Sequence, residues 1–240
     1  MSESSQRWLK AQEIEPTSWN ENIDVLYSEQ YREKIKDRSM ELQSFLSNHI
    51  DLLKPDLKIL EVGGGGSPLI DHFPSGEKNA ADPLQDFYND TFSFISEEVI
   101  TKSSKAEDLD YPDDYFDILI TRNCIDHVDS LDKTLEQFNR ITKANGKIYI
   151  GCNVFSGLLF LIRTIYKDPE HPYTFSHNSL TRILESKGMK LNEIRIDDQE
   201  QMLHFGEMES KDFIRSTIRN FFISLNSYHV SEFIISPNKE

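Results

Sequence analysis

Residues 57–68 read LKILEVGGGGSP, and this stretch decides the fold. Leu57–Val62 is a short apolar run that predicts a buried strand. It enters four glycines, Gly63 to Gly66, which let a backbone turn tightly and approach a ligand without a Cβ in the way. In a doubly wound sheet the ligand sits beyond the carboxyl ends of the strands, where such a turn falls. A carboxylate before the glycines, Glu61, would repel a pyrophosphate but suits an ammonium group. The G-x-G-x-x-G fingerprint of dinucleotide binding also fails. Its last position falls on Pro68 when counted from Gly63, and on Leu69 when counted from Gly64.

Outward from this turn, strands and helices alternate. Asn79–Asp82 predicts a second strand that ends in an acid, Val99–Lys102 a third and Tyr115–Thr121 a fourth. Asp129 is expected to cap a helix facing inward through Leu131, Leu135, Phe138 and Thr142. Asn145-Gly146 reads as a turn before a fifth strand, Lys147–Gly151. Ser176 caps a helix carrying Leu180, Ile183 and Leu184, which Gly188 stops. Leu191–Ile196 and His229–Ile235 complete seven strands, and Ser210 opens a further helix with Phe213, Ile214, Ile218, Phe221, Phe222 and Leu225 inward. Upstream, Ile35, Leu42, Leu46, His49 and Leu53 form one helical face that ends at Lys54-Pro55-Asp56. The fold expected is α/β: a doubly wound, mostly parallel seven-stranded Rossmann-like sheet with helices on both faces and a last antiparallel strand. Residues 1–55 are expected to be a helical lead or cap and 56–240 one structural unit. The lead is polar apart from a few residues, and its Trp8 and Trp19 imply that it packs on something.

Composition narrows the function. Asp and Glu number 41 against 26 Lys and Arg, a formal charge of −15, which disfavours nucleic acid and anionic membranes as partners. Two cysteines do not make a disulfide framework, and they suit a reducing compartment. The start has no apolar leader, and the longest apolar stretch, Val154–Tyr166, contains Arg163 and is too short to span a bilayer. A cytoplasmic protein without stable membrane insertion is expected. That apolar stretch reads as a core or homodimer helix, or as a wall around a greasy acceptor that would bring Arg163 to an anionic group.

Asp82 lies where an acid can accept hydrogen bonds from both hydroxyls of a ribose. Taken together, ILEVGGGGSP, AADP and SKAEDLDYPDDYFDILITRNCIDHVDSLDKTLEQFNRITKANGKIYIG cover most of Leu57–Gly151 in serial order. In this the chain resembles the class I S-adenosylmethionine-dependent methyltransferases of the small single-domain type. The opening RWLKAQEIEPTSW is also similar to the lead of methyltransferases that serve glycan assembly. The resemblance implies S-adenosyl-L-methionine as cofactor and a role for each matching residue. Glu61 would lie near the methionine ammonium, and Gly63, Gly64 and Gly65 would form the loop against the cofactor. Asp82 would bind the ribose hydroxyls, Ala106 and Glu107 would lie at the adenine, and Asn123 would flank the sulfonium. The chain departs from the pattern at Ser67, which replaces a third glycine, and at Lys105, which replaces an acid that often accepts from the adenine amine; lysine has no acceptor.

A methyl sulfonium is already electrophilic, so the protein chiefly aligns the acceptor and excludes water. A hydroxyl acceptor benefits from a base. His127, leaving the fourth strand, and His171, in a loop expected to overhang the acceptor, are the catalytic candidates. Cys124 has no partner set for a nucleophile. No metal site is expected, because Asp108, Asp110, Asp113 and Asp114 read as solvated loop charge. The fourth strand ends in RNCI, without the Asn-Pro-Pro-aromatic run of enzymes that methylate exocyclic or amide nitrogens. The reading is methyl transfer to a small molecule, glycan or lipid-linked intermediate, at oxygen. The alternatives are carbon or nitrogen methylation of a quinone or natural product, and a non-catalytic partner subunit.

Overall fold

The structure, a computed structural model, describes residues 3–165, 171–197, 228–237 and 239. Three helices lead: α1 (Glu3–Glu21), α2 (Ile23–Leu26) and α3 (Glu29–Leu46). The remainder runs β1 (Lys58–Val62), β2 (Glu77–Asp82), α4 (Gln85–Thr91), β3 (Val99–Ser103), β4 (Phe116–Arg122), α5 (Leu131–Ile141), β5 (Thr142–Phe155), α6 (Gly157–Ile165), α7 (His177–Ser186), β6 (Lys190–Asp197) and β7 (Tyr228–Ser236). The sheet order is β3-β2-β1-β4-β5-β7-β6. Strands β1 to β5 pair in parallel, and β7 is antiparallel to both β5 and β6. This is the seven-stranded architecture expected from the sequence.

Successive side chains of a strand point to opposite faces, so a sheet buried on both sides reads as a continuous apolar run. In β1, Leu60 and Val62 join Leu135 and Phe138 of α5 and Leu180 and Leu184 of α7. Ile59 joins Leu42, Phe45 and Leu46 of α3 on the other face. The strand order reverses between the parallel neighbours β1 and β4, which opens a crevice at their carboxyl ends. Gly63, Asp82 and Asn123 all stand there.

Several boundaries differ from expectation. Helix α3 stops at Leu46, with Ser47 as its cap, so Leu53 falls outside it and is 75% exposed. The apolar spacing continued through a turn that is not helical. The cap of α5 is Ser130, whose Oγ accepts from Lys133 N–H; Asp129 instead accepts from Ser5 Oγ at 2.7 Å. Asn145-Gly146 lies inside β5, in a bulge between the pairs Phe116–Thr142 and Ile118–Lys147. In α6, Leu158, Leu161 and Ile162 are exposed, so this face is not core. The acids Asp110 and Asp113 are exposed and pair with Lys102 and Arg140. The helix expected at Ser210, with Phe213 to Leu225, lies outside the described residues, as does the side chain of Arg163.

Gly63 has φ +75°, and a Cβ there would lie 2.5 Å from Cys124 Cβ and Sγ. Gly157 has φ +53° and open space around it. Gly157→Ala is therefore expected to cost only the left-handed conformation, roughly 1–2 kcal/mol. Gly63→Ala adds an overlap worth a further ~1–3 kcal/mol. Urea unfolding of the two variants measures the difference; equal losses would mean that Cys124 yields freely.

Candidate functional site

The crevice is an open cleft with an empty volume of about 640 Å³. Among the residues lining it are Val62, Gly63, Asp82, Pro83, Ala106, Glu107, Asn123, Cys124, His127 and Val128 from the sheet side, and Trp8, Gln12 and Glu15 from α1. The polar lead thus packs across the cleft mouth. Ser5 donates to Asp129, Arg7 Nη1 donates to the His171 carbonyl at 3.4 Å, and Tyr88 Oη donates to Glu15 Oε1 at 2.8 Å. Lys105 Nζ stands 3.6 Å from the Trp8 ring centroid, a cation–π contact. Lys105, which breaks the expected pattern, therefore helps to hold α1 in place. Trp19 packs at a tilt against Tyr88 and Phe92 and covers the glycine loop, 2.9 Å from where a Cβ on Gly65 would lie.

Asp82 ends β2 and is 6% exposed. Its Oδ2 accepts from Gly65 N–H at 3.2 Å and its Oδ1 from Leu84 N–H at 2.9 Å. Those two donors pin the carboxylate and leave further lone pairs on it. Burial, reinforced by the negative charge of Glu15, pushes its pKa up to about 7 despite the backbone donors.

Glu61 is not among the residues that line the cleft. Its carboxylate is buried behind the glycine loop, where Oε2 accepts from Ile70 N–H at 3.0 Å. That amide belongs to a short 3-10 turn, Leu69–His72, which takes the place of a helix after β1. Burial raises Glu61 to about 7. A Cβ on Gly64 would stand 3.1 Å from the Glu61 carboxylate, so this glycine makes room for Glu61.

Ala106 and Glu107 line the cleft, and Glu107 Oε1 also accepts from Ser130 N–H at 2.9 Å. Asn123 has φ +49°, a conformation that asparagine tolerates, and its N–H donates to Gly151 O at 2.8 Å. Its Oδ1 is buried with no hydrogen-bond partner among the described residues. Burial, reinforced by the negative charge of Asp82, pushes the Cys124 thiol up, which disfavours the thiolate that a nucleophile needs. The rings of His127 and His171 meet with centroids 4.2 Å apart. The structure thus brings together Gly63, Asp82, Ala106, Glu107, Asn123 and His127 at the cleft, with His171 against His127. Of the candidates, it sets Glu61 behind the loop with Gly64 against its carboxylate, and Gly65 under Trp19. Sequence reasoning missed Gln12 and Glu15, although both fall within the opening RWLKAQEIEPTSW that resembles a methyltransferase lead.

A family model described as a methyltransferase domain matches residues 78–150. The ubiquinone/menaquinone biosynthesis C-methyltransferase of Vibrio vulnificus is 32% identical over 108 residues, covering 40% of this chain and 41% of that protein. The chain thus spans less than half the length of this curated relative. Among solved structures, geranyl diphosphate C-methyltransferase from Streptomyces coelicolor, in complex with Mg2+, geranyl diphosphate and S-adenosyl-L-homocysteine, superposes with a TM-score of 0.62 at 13% identity over 88% of this chain and 87% of that one. A putative methyltransferase from Haloferax volcanii, in complex with the Trm112 methyltransferase activator, superposes with a TM-score of 0.59 at 14% identity over 90% and 97%. At such identities these structures establish a common fold, that of the class I methyltransferases.

Proposed function

We propose that this chain, which has the class I methyltransferase fold and carries a methyltransferase domain at residues 78–150, transfers a methyl group from S-adenosylmethionine to a small-molecule acceptor. The observation that carries the reading is Asp82: a buried carboxylate at the end of β2, pinned by the glycine loop and facing the cleft. A ribose diol suits it, because two hydroxyl donors relieve its desolvation. Asn123 Oδ1 offers a further acceptor that lacks a donor. Asp82, Asp126 and Glu107 together give the surroundings of Cys124 a negative field, which suits a sulfonium.

When bound, the cofactor supplies the electrophilic methyl. This chain's residues orient the acceptor, and Trp8, Gln12 and Glu15 of α1 wall one side of the open cleft. His127 and His171 are the imidazoles at the acceptor side. We assign them the handling of the proton of a hydroxyl acceptor, with oxygen as the methylated atom. A second reading, methylation at carbon, is favoured by the names of the quinone and geranyl diphosphate relatives.

Calorimetry with S-adenosylmethionine and S-adenosylhomocysteine, with NAD as control, tests the cofactor. Micromolar binding of the sulfur compounds alone supports the reading, and binding of NAD alone overturns it. His127→Ala and His171→Ala are expected to leave S-adenosylhomocysteine affinity within about twofold while turnover falls ~100-fold or more for at least one. Wild-type turnover in both variants would remove the histidines from the chemistry. Transfer of a carbon-13 methyl, read by NMR as a methoxy or a carbon-bound methyl, separates the two acceptor atoms.

A further inference from the structure

Beta strand β4 delivers the chain into a tight turn, closed by His127 N–H donating to Cys124 O at 2.9 Å. The turn points Asp126 and His127 to one side. Tyr173 N–H donates to the Asp126 carbonyl at 3.2 Å, and Tyr173 Oη donates to the Asp129 carbonyl and accepts from Leu131 N–H. These bonds dock segment 171–173 against the turn and bring His171 onto His127. One ligating atom from each of Asp126, His127 and His171 then lies within 4.8 Å of the other two. Asp126 Oδ2 is 3.9 Å from His127 Nε2.

The carboxylate is the telling member. Asp126 is 3% exposed, and its Oδ1 is buried with no hydrogen-bond partner among the described residues. Leaving a buried carboxylate oxygen without a donor is costly, and a cation removes that cost. Two imidazoles and one carboxylate are the donor set of a borderline divalent ion. Magnesium and calcium prefer all-oxygen surroundings, whereas Zn2+, Fe2+ and Co2+ accept nitrogen. The Asp126–His127 pair, 3.9 Å apart, has to close to about 3.4 Å, and the third ligand, within 4.8 Å, has to come to the same separation, to share an ion bonded tetrahedrally at about 2.1 Å.

We propose that Asp126, His127 and His171 form a binding site for a divalent transition-metal ion at the acceptor side of the cleft. Of the three ligands His127 lines that cleft, and an ion there would keep coordination positions open beside it. They would take an oxygen of the acceptor, hydroxyl or carbonyl, fixing its position and lowering its proton affinity. That role rests on the methyltransferase reading, whereas the binding of the ion does not. With the ion in place, it would activate a hydroxyl acceptor instead of a free His127 or His171 imidazole taking the proton, and that proton would leave to water. The site escapes sequence inspection because its ligands come from two distant segments with no ligand spacing between them.

The test uses the full chain stripped with a chelator and titrated with Zn2+ and with Co2+, by calorimetry and by visible absorption of the cobalt form. One equivalent is expected to bind, and Asp126→Asn, His127→Ala and His171→Ala are each expected to weaken it by about tenfold or more. His171→Ala keeps the carbonyl to which Arg7 donates, and urea unfolding together with S-adenosylhomocysteine binding checks the fold of each variant. No saturable binding of either ion would overturn the site, as would affinity held within about threefold in all three variants. Cofactor binding without metal binding would sink this site and leave the methyltransferase reading standing. Metal binding without cofactor binding would do the reverse.

Discussion

Asp82→Ala is expected to weaken S-adenosylhomocysteine binding by roughly 10–150-fold, or ~1.5–3 kcal/mol, through the loss of charge-assisted hydrogen bonds. The carboxylate is held by Gly65 N–H and Leu84 N–H, one on each oxygen, so its direction is set before any ligand arrives. Such preorganisation means that the bonds to a ribose are made without ordering a side chain. Asp82→Asn keeps one acceptor oxygen and is expected to fall between wild type and alanine. Glu107→Ala is the informative contrast. Glu107 also lines the cleft, but one of its oxygens already serves Ser130 N–H, so a smaller loss is expected. Calorimetry on the three variants orders them. An Asp82→Ala affinity equal to wild type would sink the ribose assignment, and a larger loss at Glu107 would move the nucleoside elsewhere in the cleft.

The central strands β1 and β4 were legible because each is a short apolar run bounded by turn residues, and burial on both faces leaves few other uses for such a run. Asp82 was legible for the same reason: it ends a run whose register is set by pairing with β1 on one side and β3 on the other. What was not legible depends on contacts distant in sequence. Asp129 and Ser130 are both good helix caps, and only the Ser5 hydroxyl, which engages Asp129, leaves the cap to Ser130. Glu15 and Gln12 carry no motif, since their place at the cleft comes from α1 docking through Trp8 and Trp19. Glu61 was read for its charge, as a partner for an ammonium. Its partner is an amide of the 3-10 turn, which no local pattern announced. The pairing of His127 with His171 likewise needs Tyr173 to dock its loop on the β4 turn.

Glu61 and Asp82 also set how stability depends on pH. Burial raises both to about 7 in the folded chain, from ordinary values of 4.5 and 3.8. The folded state therefore keeps two protons that the unfolded state has already released near pH 4–5. For groups raised in this way, the stabilisation is complete below the unfolded values and is lost as pH rises through the folded ones. Between about pH 4.5 and 7 the two carboxyls together are expected to remove several kcal/mol of stability, on the order of 3 kcal/mol each. Urea unfolding at pH 5, 6, 7 and 8 measures this, with the slope flattening above 7. Glu61→Gln keeps an acceptor for Ile70 N–H and removes the charge, so it is expected to halve the slope and to be relatively more stable at pH 8 than at pH 5. Ligand binding carries the opposite sign. Ribose hydroxyls donate to the ionised form of Asp82, so S-adenosylhomocysteine affinity is expected to rise between pH 5 and 7 while the free chain loses stability. Affinity that is flat across that interval, in a chain whose stability does fall, would mean that Asp82 carries a desolvation penalty that no ligand relieves.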